Sequence, residues 1–129
     1  MMRAVLAVFI ICVTTSVYAF TVQDFPQYKP MWETDAPVKF SDKDEPVVTV
    51  ENGEFAVVNY GRSELCPGGG FYLVNTKRKT YQPIDAGTCS SKVKATIAPS
   101  VRTHCRVNNL RLTFWVGKEI SARYPLYDY

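Results

Sequence analysis

The chain reads as a small all-β protein, an antiparallel sandwich or barrel-like sheet built from three hairpins behind an extended, Pro-rich N-terminal arm. Three observations predict this class. Asn52-Gly53 separates Val47-Val48-Thr49-Val50 from Phe55-Ala56-Val57-Val58, and Asn-Gly between β-branched runs is the strongest short-range hairpin signal. Two more pairs of apolar runs follow, each joined by a short polar or Gly-containing turn, and no segment carries the 3.6-residue apolar period of an amphipathic helix. The third is composition: eight Tyr, seven Phe and two Trp are side chains suited to pleated, half-buried surfaces.

Residues 1–19 read as an export signal. Arg3 supplies a positive start, Ala4 through Val13 an apolar run of ten residues, and Val17-Tyr18-Ala19 small residues at −3 and −1 of a cleavage site. Ten apolar residues are too few for a bilayer core that needs about 20. No membrane span is expected after cleavage, and the mature chain, starting at Phe20, is expected to be secreted or periplasmic. The remaining 110 residues suit one domain with one core. Losing Arg3 takes the 15 basic residues to 14 against 12 acidic, a net charge of +2. That is too near neutral to point to nucleic acid or a charged membrane surface.

Residues 20–46 form the arm. Pro26, Pro30, Pro37 and Pro46 interrupt both helix and sheet ladders. Phe20, Phe25, Tyr28, Met31, Trp32 and Phe40 are anchors able to lay the arm across the β-domain, which spans residues 47–129. In the first hairpin a turn at Asn52-Gly53 pairs Val50 with Phe55 and Val48 with Val57, and sets Glu51 against Glu54. With both faces apolar, this ribbon is expected in the middle of a sheet. The second hairpin joins Phe71–Val74 to Thr80–Ile84 across a tip at residues 76–79, with Phe71 facing Ile84 and Pro83 confined to a sheet edge or strand end. Lys92–Ile97 alternates with period two and reads as a single half-buried strand. For the third hairpin a three-residue loop, Gly117-Lys118-Glu119, gathers the apolar residues on one face. It pairs Val116 with Ile120, Phe114 with Ala122 and Leu112 with Tyr124, and leaves Trp115 on the polar face.

Three cysteines follow the signal: Cys66, Cys89 and Cys105. Continuing the ladder of the second hairpin five residues outward on each strand brings Cys66 opposite Cys89, which favours that disulfide; Cys89–Cys105 and Cys66–Cys105 remain open. Cys105 is then an odd thiol through which an oligomer could form.

No constellation of catalytic or metal-ligating residues emerges, and no cofactor is expected. His104, the only histidine, adjoins Cys105, but neighbours in an extended segment point to opposite faces and cannot form a dyad with each other. Gly68-Gly69-Gly70 runs into a strand, where a phosphate-cradling loop runs into a helix. Asp42, Asp44 and Glu45 lack the glycine and the length of a calcium loop. What remains is surface recognition. Lys77-Arg78-Lys79 at a hairpin tip, with Trp115 and the aromatic residues Trp32, Tyr127 and Tyr129, are the candidate partner-binding residues. The expected function is that of a non-enzymatic protein-binding domain, one that inhibits or neutralises an enzyme or toxin. A structural or adhesive envelope component and a small-ligand-binding β-barrel are the alternatives.

Overall fold

The computed structural model describes residues 20–100, 110–126 and 129. Its strands are β1 (Lys29–Pro30), β2 (Val47–Asn52), β3 (Phe55–Tyr60), β4 (Gly70–Asn75), β5 (Thr80–Pro83), β6 (Val93–Pro99), β7 (Leu110–Val116) and β8 (Glu119–Pro125). They form a five-stranded sheet in the order β1-β5-β4-β3-β2 and a three-stranded sheet in the order β6-β7-β8. Every pairing is antiparallel except that of β1 with β5. The fold is an all-β sandwich.

Strand alternation sends successive side chains to opposite faces, and the five-stranded sheet buries both. Phe55 and Val57 of β3 and Phe71 and Leu73 of β4 meet Ala95, Ile97, Leu112 and Phe114 of the smaller sheet in one core. Ala56, Val58, Val74 and Tyr81 point the other way, into a second core closed by Phe20 and Phe25. Residues 20–46 thus form an outer layer. A 3₁₀ turn at Val22–Gln27 buries Phe25, and Phe25 meets Phe40 and Tyr81 at ring-centroid distances of 4.9 Å. Trp32, one of the six proposed anchors, is instead 59 % exposed.

The first hairpin departs from expectation in register and in place. Asn52 pairs with Phe55, and Val50 with Val57. The turn is Gly53-Glu54, with positive φ at Gly53 (60°) and at neither neighbour, the type II′ pattern with glycine first. Glu51 lies opposite Ala56, not Glu54. Only β3 is central; β2 is an edge strand. The apolar residues on both faces of β2 have a physical cause. A bulge at Thr49 makes Val48 pair with Val58, so Val50 packs on the inter-sheet core and Val48 on the outer one.

In the second hairpin the pairs Asn75–Thr80 and Val74–Tyr81, with Ile84 N–H donating to the Phe71 carbonyl at 3.0 Å, give the register read from the sequence. Pro83 ends β5. The third hairpin again corrects the loop. Val116 pairs with Glu119 across a two-residue turn, Gly117-Lys118, and Trp115 pairs with Ile120. A bulge at Ser121 then restores Phe114 opposite Ala122 and Leu112 opposite Tyr124. Turn chemistry and core pattern differ here by one residue, and the bulge absorbs the difference.

Edge strands β2 and β6 run beside each other where the two sheets meet. Asn52 Nδ2 donates to the Ile97 carbonyl at 2.9 Å across that seam.

Candidate functional site

The tip of the second hairpin is organised from beneath. Asn75, 3 % exposed, accepts at Oδ1 from the backbone N–H groups of Lys77 (3.1 Å) and Arg78 (2.9 Å) and donates from Nδ2 to the Tyr129 carbonyl (2.9 Å). The Glu54 carbonyl accepts from the backbone N–H of Thr76 at 2.7 Å and from its hydroxyl at 3.0 Å. Lys79 takes φ 55°, the left-handed conformation that turns the chain into β5. Its carbonyl accepts from Lys29 N–H at 3.1 Å. Lys77, Arg78 and Lys79 all project as exposed side chains.

Lys29 is the residue that sequence reasoning missed. The parallel pairing of β1 with β5 sets Lys29 beside Thr80, bringing a fourth exposed cation to the tip. Hairpin patterns carry no signal for a two-residue parallel strand arriving from 51 residues away (80 minus 29), so nothing local could have shown it.

Trp115 belongs to the other sheet, away from this cluster. It is half-buried, and its indole N–H donates to Thr96 Oγ1 at 2.9 Å, so its polar edge is already used within the sheet. Cys66 and Cys89 are at disulfide distance, with S–S 2.10 Å and Cα–Cα 4.7 Å. Gly68 N–H donates to the Cys89 carbonyl at 2.9 Å, tying the glycine segment to the same place. Beside this crosslink a groove of about 250 Å³ opens on the seam, lined among others by Thr49, Asn59, Arg62, Phe71, Val93 and Lys94. Asn59 braces its floor, donating from Nδ2 to the carbonyls of Gly68 (2.8 Å) and Gly70 (3.1 Å). The groove sits at the Gly70 end of β4 and the basic tip at the Asn75 end. With about 3.3 Å of rise per residue, the two are separated by the length of the strand.

Among the described residues no group of three or more His, Cys, Asp and Glu could hold a metal ion, and no helix is long and apolar enough to cross a membrane. The export signal, His104, Cys105 and Tyr127 lie outside the described residues. Three phenols are held above their ordinary range. Burial is the leading cause for Tyr72, followed by the neighbouring Tyr60, and for Tyr28 and Tyr124 burial is followed by nearby Asp24 and Asp85 respectively. A scan against protein-family models gave no match, and searches of curated proteins and of solved structures gave none either.

Proposed function

We propose that this chain is an exported domain that binds another protein through the basic tip, Lys77, Arg78 and Lys79 with Lys29 beside them, and thereby inhibits or neutralises an enzyme or toxin that presents an acidic surface. The observation that carries this reading is the contrast between backbone and side chains at the tip. Asn75, Thr76 and Lys29 fix the backbone by hydrogen bonds, while the cations remain exposed. A loop already held in one conformation loses little entropy on binding. Clustered exposed cations accelerate encounter with an acidic partner.

The test is to isolate a stoichiometric partner from the periplasm or secretion fluid of the producing cell and measure its association rate. Changing Lys77, Arg78 and Lys79 together to Ser should lower that rate at least about tenfold at low salt, and raising the salt should reproduce the loss with the unchanged protein. The melting temperature should stay nearly constant, because these side chains lie outside both cores. A rate indifferent to both substitution and salt would remove the tip as the binding surface.

A further inference from the structure

Phe20 is 1 % exposed, unusual for a residue that immediately follows a cleavage-site pattern. Its ring packs 5.6 Å from that of Phe25 and 5.1 Å from that of Tyr28, at the heart of the outer core. Its backbone nitrogen lies 3.4 Å from Glu51 Oε2. For an amide N–H that is a long, weak hydrogen bond. For an ammonium group it is ion-pair distance.

Hydrolysis of the Ala19–Phe20 bond by a signal peptidase adds one water across it, leaving a carboxylate on Ala19 and an amine on Phe20. That amine, with an ordinary pKa of about 7.7–8.0, takes up a proton at neutral pH. A neutral donor thereby becomes a cation beside a half-buried carboxylate, and the weak bond becomes a charge-assisted one. The geometry also selects the bond to be cut. One residue left in front of Phe20 would carry the new charge about 3.8 Å further along the chain, away from Glu51. One residue fewer would remove the Phe20 ring from the core.

We propose that Ala19–Phe20 is the processing site and that the Phe20 α-ammonium it creates docks on Glu51, so that cleavage completes the outer layer of the sandwich. This rests on the export reading, but its two parts can be tested apart. Mass spectrometry of the protein recovered outside the cytoplasm should show Phe20 as the first residue; a different first residue overturns the choice of bond. Independently, two forms of the chain from Phe20 onward should be compared, one starting at Phe20 and one with a single Gly ahead of it, each with Glu51 and with Glu51→Gln. With Glu51 in place, the added Gly should lower the melting temperature by about 4 °C. With Glu51→Gln the two forms should melt together, since the ammonium then has no carboxylate to pair with. An equal drop in both backgrounds would show a steric effect only, and no drop in either would show that the terminus does not dock; each result overturns the proposal. Retention of an uncut chain in the cytoplasm would sink the export reading while leaving the docking comparison decisive by itself.

Discussion

Truncating Phe114 to Ala probes the inter-sheet core through one of its largest fully buried side chains. Phe114 is fully buried and packs edge-on against Phe71 at 4.8 Å, with Tyr124 at 6.4 Å. Its lateral neighbours are Ala95 on β6 and Ala122 on β8, so one ring fills the width that two methyl groups leave open. Neither alanine can expand into the space the ring vacates, which places the loss toward the upper part of the about 3–5 kcal/mol usual for a buried Phe→Ala change. Against a total of about 5–15 kcal/mol for a domain, that is a large share. With a urea m-value of about 2 kcal/mol/M, a loss of about 4 kcal/mol moves the unfolding midpoint by about 2 M. Equilibrium urea unfolding with the Cys66–Cys89 bridge intact, followed by far-ultraviolet circular dichroism, gives the number directly. A shift below about 0.5 M with unchanged m would mean that the site collapses freely and that the flanking alanines do not hold the cavity open.

Replacing Cys66 and Cys89 together by Ser should destabilise the chain by about 3.5 kcal/mol, the chain-entropy value for the loop closed by a sequence separation of 23, read from the same urea curves under non-reducing conditions. Gly87→Ala should cost at least about 1–2 kcal/mol, because Gly87 holds φ +72° and an added Cβ would lie 2.5 Å from the Ser121 carbonyl oxygen; a melting temperature equal to that of the parent would refute the close approach. The raised phenol of Tyr72, owed first to burial and then to Tyr60, fixes the sign of an alkaline dependence. The folded state keeps a proton that the unfolded state gives up, so stability should be fully present below about pH 10 and fall as pH rises beyond it. Urea midpoints measured across that range, together with a Tyr absorbance titration, check this, and a midpoint constant to strongly alkaline pH would contradict it.

Much of the strand layout was legible because alternation is a local signal. The second hairpin and the β6 strand could be read in place, and the inward set of the third hairpin followed from pattern alone. What failed did so for one recurring reason. At Gly53 and at Gly117 the glycine takes the first position of a two-residue II′ turn, while the core demands a register one residue different. A bulge reconciles the two each time, at Thr49 and at Ser121, and no sequence rule marks where the spare residue will sit. The arm's aromatic anchors and the apolar character of both faces were legible, but which strands the arm covers was not, because the contacts that seat it, such as those of Phe25 with Tyr72 and Tyr81, join residues far apart in sequence. At the candidate site, Lys77, Arg78 and Lys79 could be placed from the turn pattern. Asn75's double role and the arrival of Lys29 depend on neighbours distant in sequence.

The bulge at Ser121 matters beyond the hairpin it corrects. A sheet edge is a row of unpaired donors and acceptors, and a long straight one recruits strands from other molecules. In this fold β2 and β6 are turned toward each other and tied by Asn52, and β1 offers only two residues. Among the described residues that leaves β8, seven residues long, as the edge from which fibrillar growth could start. Its spare residue breaks the ladder between Phe114 and Trp115, and Ser121 Oγ donates to the Ala86 carbonyl at 2.6 Å, which pins the distorted stretch to the neighbouring loop. Deleting Ser121 would straighten this edge and remove the bond that ties it to the loop at Ala86. The cost of that deletion would then be read in colloidal behaviour, as chains stacking edge to edge, as much as in the stability of a single chain.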